Sequence, residues 1–298
     1  MTQKQKIILT GSSGQLGSDL AALLKAEGIG VCAFDSRSLD ITDKKSVVDA
    51  AMKERPGVII NCAAYTKVDL AEKERERAEA VNIGGVENLV DAAQKVNAAI
   101  IHVSTDFVFD GMKSSPYLET DRANPLGVYG ETKFRGEEVL RRYPRHVIVR
   151  TSWLYGASGP NFVKTMLRLA VEKDILRVVY DQTGSPTWTK DLAGALMLAA
   201  MRIGDMPGGV YHYSNEGVAS WYDFTVAIIE EAERYAGPFK CKEILPILTA
   251  DYPAPARRPA YSVMSKEKIK KTLPELKIPH WRVSLRKMLA ELYGKAGA

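Results

Sequence analysis

Three cysteines in 298 residues, at positions 32, 62 and 241, are too few, too scattered and odd in number to brace a fold with disulfides. Cys32 and Cys62 fall inside strand-like runs, and all three read as reduced core residues. No stretch of about eighteen apolar residues occurs, which is the length a membrane-crossing helix needs. The opening MTQKQKIILTG runs from a polar start straight into a strand, without the apolar core and small-residue cleavage site of a secretory signal, so the expected location is the cytoplasm and no membrane partner is expected. A net charge of +5 is mild, and neither a basic stripe nor an aromatic ladder is present, which argues against nucleic acid as a partner. Internal repeats and low-complexity segments are missing as well. What is present, 46% apolar and 26% charged residues, can bury one large core or two intimate ones.

The first half alternates short apolar runs with longer amphipathic ones. KIILTG, GVCAFD, GVIINCAA and AIIHVST read as strands, and QLGSDLAALLKAEG, DKKSVVDAAMKERP and AEAVNIGGVENLVDAAQKVN as the helices between them. HVIVRTSWLYG supplies a further strand. The spacing predicts βαβ units and a doubly wound, mostly parallel α/β sheet of the Rossmann type. Beyond Leu154 the pattern breaks into helices at NFVKTMLRLAVEK, TKDLAGALMLAAMRIG and SWYDFTVAIIEEAERYA, with a proline-rich passage and a basic helical tail. Residues 1–152 are therefore expected to form a dinucleotide-binding domain to which later segments return. Residues 153–298 are expected to form mainly a smaller, discontinuous α/β substrate-binding region against the sheet's carboxyl edge.

In KIILTGSSGQLGSDLAALL, Gly11, Gly14 and Gly17 stand where the first strand turns into a helix. Glycines there let the backbone approach a pyrophosphate, and the helix N-terminus offers free N–H groups. Ser13, Gln15 and Leu16 of the same turn join them as candidate cofactor contacts. Asp35 closes the second strand, where a carboxylate can accept the adenosine ribose hydroxyls of NAD, although it also suits an ordinary turn. Arg37 could instead hold a 2′-phosphate, which leaves NADPH and NADH both open, with NADPH slightly preferred. Asp40 and Ile41 could sit on the adenine, while the same DITD run also suits a helix cap at Thr42 or Asp43.

AIIHVSTDFVFDG ends a strand in Ser104 and Thr105, so both hydroxyls emerge at the edge where open α/β sheets bind ligands. Tyr129 and Lys133, four apart in GVYGETKFRGEEVL, share a helix face and reach the same crevice from the next βα connection. A hydroxyl plus Y-x-x-x-K after a glycine-rich first turn resembles the extended short-chain dehydrogenase/reductases. The stretches GQLG, INCAAYTKVDLAE, VSTDFVFDG, VYGETKFRGEE, RTSWLYG, DQTGSPT, GVYHYSN and RRPAYSVMS, in order along nearly the whole chain, resemble the dTDP-4-dehydrorhamnose reductase family.

The resemblance implies reduction of the 4-keto group of dTDP-4-dehydro-L-rhamnose to dTDP-L-rhamnose by NADPH or NADH. It makes Tyr129 the proton donor and Lys133 the charge that lowers the phenol's pKa and bonds the nicotinamide ribose; Thr105 bonds the carbonyl oxygen. Cys62, Ala63, Ala64 and Tyr65 resemble the family's wall against the cofactor, with Ser104 nearby. Thr66, Val68, Asp69 and Asp106 could extend toward the sugar, as could Trp153, whose aromatic ring equally suits a core. Asn161, Phe162, Gln182, Arg258 and Tyr261 are candidates for the nucleotide diphosphate and base. Some family members are described with magnesium held by glutamates at a dimer interface; the nearest positions here are Asp19 and Lys190, so no metal is expected, and a homodimer is compatible with the resemblance. Phe107 stands where the family's motif usually has tyrosine. Two other classes share the fold: non-catalytic regulatory subunits of methionine adenosyltransferase, and nucleotide-sugar epimerases or dehydratases that hold NAD permanently.

Overall fold

The computed structural model describes residues 6–294. Its first half runs β1 (Ile7–Thr10), α1 (Gln15–Ala26), β2 (Val31–Phe34), α2 (Lys44–Glu54) and β3 (Val58–Asn61). Two short helices, α3 (Val68–Ala71) and α4 (Arg75–Glu79), follow; α4 continues through a π-helical turn (Ala80–Gly84) into α5 (Gly85–Val96). β4 (Ala99–Thr105), α6 (Val128–Arg141) and β5 (His146–Thr151) complete this half. The second half holds β6 (Leu154–Tyr155), α7 (Phe162–Glu172), β7 (Ile175–Val179), β8 (Thr183–Gly184), β9 (Thr187–Trp188) and α8 (Thr189–Met201). It ends with β10 (Gly209–His212), β11 (Ala219–Ser220), α9 (Trp221–Ala236), β12 (Glu243–Ile247), α10 (Glu267–Thr272) and α11 (Trp281–Leu292).

Six strands form one parallel sheet in the order β10-β5-β4-β3-β1-β2. Its strands are mostly apolar because both faces are covered, and successive side chains go to opposite layers. Ile7, Leu9, Val58, Ile60, Ile101, Val147 and Val149 pack with α1 and α8. Ile8, Ile59, Ile100 and Ile148 pack with α2 and α5 on the other face. The doubly wound, mostly parallel architecture expected from the sequence is the one observed. The order in which strands are added reverses between β1 and β3: β2 lies outside β1, and β3, β4 and β5 continue on the other side. The crevice beyond the strand ends at such a switch point is where α/β sheets bind ligands.

α8 returns to pack against α1, and β10 extends the sheet beyond β5. A separate core joins α7, α9 and α11 through Val163, Leu167, Phe224, Ile228, Leu285 and Met288. It carries the two-stranded pairing of β12 with β7. Polar caps fix the ends of these helices: Asp43 accepts from Lys45 and Ser46 at α2, Asn161 accepts from Lys164 at α7, and Ser220 and Asp223 form a capping box at α9. α1 differs. Its N-cap is Gly14, and no side chain caps its first N–H groups.

Candidate active site

A cavity of about 550 Å³ opens at the switch point. Its floor is the β1–α1 turn, where Gly11 adopts a φ of +71° and a Cβ would meet the backbone nitrogen of Ala63 at 2.6 Å. A Cβ on Gly17 would meet the carbonyl oxygen of Gly11 at 2.1 Å, so α1 can start this close to the strand only through glycine. Ser13, Gly14, Gln15 and Leu16 line the same turn. The uncapped N-terminus of α1 thus faces the cavity, a fit for the pyrophosphate of a dinucleotide.

Asp40, Ile41, Cys62, Ala63, Ala64, Tyr65, Thr66 and Val68 line the cavity, as do Ser104, Thr105, Asp106, Tyr129, Lys133 and Trp153. Asp35 and Arg37 are not among the lining residues, although Ser36 between them is. The Asp35 carboxylate is turned on its own loop: Oδ1 accepts from the backbone of Arg37 (3.1 Å) and Ser38 (2.8 Å) and from the Ser38 hydroxyl (2.7 Å). These bonds, those to Ser38 above all, hold its carboxyl below the usual carboxylate range. Asp40 likewise accepts from the Thr42 backbone and hydroxyl, and the helix cap is Asp43.

β4 and α6 bring the catalytic candidates together. Thr105, the last residue of β4, donates to Asp106 Oδ1 at 3.1 Å and accepts from the Phe107 backbone at 3.2 Å. Asp106 is buried, its Oδ2 has no partner, and desolvation pushes its carboxyl up to about 6 against the pull of Ser262 and Thr105 hydrogen bonds. Tyr129, in the first turn of α6, packs edge-on against Phe107 with ring centres 5.4 Å apart. Burial pushes its phenol up to about 12, opposed by a hydrogen bond with Thr105 and reinforced by the Asp106 charge.

Lys133 corrects one expectation. Its Nζ is turned into the sheet, 2.8 Å from the Val103 carbonyl and 3.1 Å from His102 Nε2, and desolvation lowers its pKa to about 8 despite the nearby Glu137 and Cys62. The phenol is therefore raised here, where a neighbouring ammonium was expected to lower it, because burial outweighs any charge from Lys133. Behind this pair, the hydroxyl of Ser104, which lines the cavity, donates to Glu137 Oε1 at 2.6 Å. Glu137 is fully buried and receives Arg150 in a bidentate pair (2.9 and 2.7 Å).

A second cavity of about 530 Å³ lies between α7, α9 and the segment 249–258. Phe162, Gln182 and Arg258 line it, together with Arg177, Trp221, Tyr252 and Arg257, which the sequence reading did not single out. Trp153, at a left-handed φ of 49°, stacks face to face on Trp221 with ring centres 3.4 Å apart, so one aromatic pair joins the two cavities. Arg258 already grips Asp69 through two bonds of 3.2 and 2.8 Å. Gln182 spends its amide on Thr249 and Trp221. Asn161 and Tyr261 line neither cavity: Asn161 caps α7 and donates to Gln15, and Tyr261 packs in the cluster of Phe109, Tyr117 and Met264. Asp19 accepts from Thr189, and Lys190 pairs with Glu291. Among the described residues no group of three or more His, Cys, Asp or Glu side chains could hold a metal ion.

Residues 5–293 match the family model of the RmlD substrate binding domain. The chain is 46% identical over 290 residues to a dTDP-4-dehydrorhamnose reductase of Aggregatibacter actinomycetemcomitans, covering 96% of this chain and 98% of that protein. The crystal structure of a dTDP-4-dehydrorhamnose reductase from Clostridium acetobutylicum superposes with a TM-score of 0.89 at 39% identity, covering 96% of this chain and 99% of the other. That of the Bacillus anthracis enzyme in complex with NADP gives 0.88 at 40% identity, over 97% and 100%. A glycine turn, a hydroxyl, a tyrosine and a lysine at one sheet edge are the parts a nicotinamide-dependent reductase needs, and this chain belongs to the dTDP-4-dehydrorhamnose reductase family, a family of oxidoreductases.

Proposed function

We propose that the protein reduces the 4-keto group of dTDP-4-dehydro-L-rhamnose to dTDP-L-rhamnose with NADPH or NADH, the last step in making this precursor of cell-surface polysaccharide. The observation that carries the reading is the Trp153–Trp221 stack. It connects the cavity of Thr105, Tyr129 and Lys133 to a second one rich in arginine and aromatic side chains, so one ligand can place a sugar in the first and a nucleotide in the second. The bound cofactor supplies the hydride that reaches the carbonyl carbon.

Each residue then has a task in the other half of the reaction. Thr105 donates to the carbonyl oxygen and fixes its direction, as an oxyanion donor does. Tyr129 gives that oxygen its proton as charge develops there; the raised phenol pKa keeps the acid loaded at neutral pH. Lys133 holds the ribose side of the cofactor, and Gly11, Gly14 and the α1 N-terminus hold its pyrophosphate. Val68, Thr66, Asp106 and Trp153 face the sugar. In the second cavity, Arg257 and Arg177 supply charge for a diphosphate, and Phe162 and Trp221 supply apolar rings for a base.

The preference for NADPH rests on Asp35, whose Oδ1 is already engaged by three donors and is poorly placed to chelate a ribose diol. The NADP held by the Bacillus anthracis structure supports it. We take the reaction to be cytoplasmic and the assembly to be a homodimer. The deciding assay offers dTDP-4-dehydrorhamnose with each reduced cofactor in turn. Cofactor oxidation that depends on the ketone supports the reading, faster with NADPH. No oxidation with either, joined to copurification with a methionine adenosyltransferase, overturns it in favour of a regulatory subunit; a stoichiometric, tightly held NAD overturns it in favour of an epimerase.

A further inference from the structure

Among the described residues, the charged side chains that line the first cavity are Asp40, Arg77, Asp106 and Lys133. A nicotinamide dinucleotide brings a negative charge on each phosphate of its pyrophosphate, so the two cations decide how that charge is met. Lys133 is 2% exposed and committed to the Val103 carbonyl and His102. Arg77 is the other. Its side chain is 68% exposed, and a guanidinium presents its donors as a planar fork that matches phosphate oxygens.

α4 sets where that fork stands. Val81, four residues after Arg77, lines the cavity as well and packs with the core cluster of Leu39 and Ile41. Four residues further on, Gly85 lies so close to Ile41 that a Cβ on it would meet Ile41 Cδ1 at 2.5 Å. This end of the helical run belongs to the side of the cavity suited to adenine. At the other end, the Arg77 guanidinium carbon lies over the Tyr65 ring, 6.0 Å from its centre. Tyr65 is two residues past Ala63, whose backbone nitrogen abuts Gly11 of the glycine turn. Arg77 therefore lines the stretch between Ile41 and the glycine turn, where the pyrophosphate fits.

Its present partner is a weak one. Arg77 Nη1 donates to Glu74 Oε2 at 3.3 Å, and the same oxygen accepts from the Tyr65 hydroxyl at 2.9 Å. An exposed pair three residues apart on one helix contributes little, so Arg77 can leave Glu74 for a stronger anion while Tyr65 keeps the carboxylate in place. Arg75 of the same helix differs: two bonds of 3.1 and 3.0 Å hold it on Glu131 of α6.

We propose that Arg77 exchanges Glu74 for the cofactor's pyrophosphate, so that the dinucleotide is held by the glycine turn and α1 N-terminus and also by a guanidinium from α4. The inference rests on the chain binding a nicotinamide dinucleotide. The two contributions differ in kind: the helix end supplies backbone N–H groups and a partial charge, and Arg77 supplies a full one. Because NADH and NADPH share the pyrophosphate, Arg77 strengthens both and does not choose between them. A 2′-phosphate contact such as that considered for Arg37 acts on NADPH alone.

The test is a titration of cofactor-free protein with NADPH and with NADH, followed by nicotinamide fluorescence. Arg77→Gln should raise Kd for both by the same factor, roughly 5- to 50-fold, as for the loss of one charge-assisted contact. That loss should shrink at about 1 M salt, where charges are screened beyond about 3 Å. Lys73→Gln removes an equal charge outside the cavity lining and should leave both within about twofold. Glu74→Gln retains an oxygen for the Tyr65 hydroxyl and releases the guanidinium. Both cofactors should then bind roughly 2- to 5-fold more tightly, a gain that vanishes when Arg77→Gln is added.

Unchanged binding by Arg77→Gln, or a loss no larger than that of Lys73→Gln, overturns the proposal. A loss confined to NADPH overturns it in favour of a 2′-phosphate contact. A gain from Glu74→Gln that persists without Arg77 overturns the exchange. Should Arg77→Gln not fold, Glu74→Gln decides alone, and no tightening overturns the proposal. A parent protein that binds neither dinucleotide overturns the cofactor reading itself, an outcome distinct from every variant result.

Discussion

The two cavities joined by Trp153 and Trp221 are built from different materials. The first is walled by strand ends, a helix N-terminus and the first turn of α6, whose backbones are fixed by the sheet ladder and by glycines no side chain could replace. The second is walled by α7, α9 and the irregular segment 249–258, where Tyr252 and Arg257 are exposed and Arg258 is steadied by one ion pair with Asp69. A reacting geometry that tolerates little error sits on regular elements, whereas recognition of the rest of a ligand sits on loops that can vary. If this division holds, substitutions in the first cavity will act on turnover or cofactor binding, and those in the second on substrate KM.

Tyr129→Phe should separate the two most sharply. It removes one oxygen and keeps the edge-on contact with Phe107. Turnover should fall by roughly 10² to 10⁴, the usual contribution of a positioned general acid, with cofactor affinity nearly unchanged. Steady-state rates together with a cofactor titration check this, and near-parental turnover would remove Tyr129 from the mechanism. Trp221→Ala makes the opposite demand: KM for the nucleotide-sugar should rise by roughly 10- to 100-fold, as for the loss of about 1.5 to 3 kcal/mol of aromatic contact, with cofactor affinity intact. An equal fall in kcat would show that the stack also positions the sugar.

Lys133→Met sharpens the comparison through stability. Lys133 is depressed in the fold, to about 8 from an ordinary 10.5, so between these values the unfolded chain binds more protons and the parent gains stability as pH rises. The cost of charging the buried amine, at most about 3 kcal/mol, is fully present below pH 8 and gone above 10.5. Thermal melts of parent and variant across this range should therefore converge or cross in the parent's favour as pH rises. Hydrogen bonds lost by the variant shift its whole curve and leave that trend intact. A difference independent of pH would mean that Lys133 is not depressed. The smallest effect is expected from Arg37→Ala. Its side chain lies outside the cavity lining, and weakening of NADPH by more than about tenfold relative to NADH would show that the loop closes on a 2′-phosphate.

Much of this molecule could be read along the chain. Strand and helix periods, the glycines at the first turn and the four-residue spacing of Tyr129 and Lys133 are local signals, and local geometry carries them into the fold unchanged. Thr10, Asn61 and His102 were passed over, although each is a polar residue in an otherwise apolar strand, IILT, VIIN and AIIHVST. That signal was available. Its meaning was not, because a cross-strand row exists only once the register is set.

The amino-acid sequence by itself determined the doubly wound sheet, the edge at which it binds and the residue types gathered there, since these follow from periodicity and chain order. Only the tertiary structure decided that Asp35 is tied to its own turn, that Ser104 serves Glu137, that Asn161 caps a helix and that Trp153 stacks on Trp221. It also decided the sign of the shift at Tyr129. A phenol beside an amine can move either way. The direction depends on how much water each has lost and on which atoms, distant in the chain, take up the amine's hydrogen bonds.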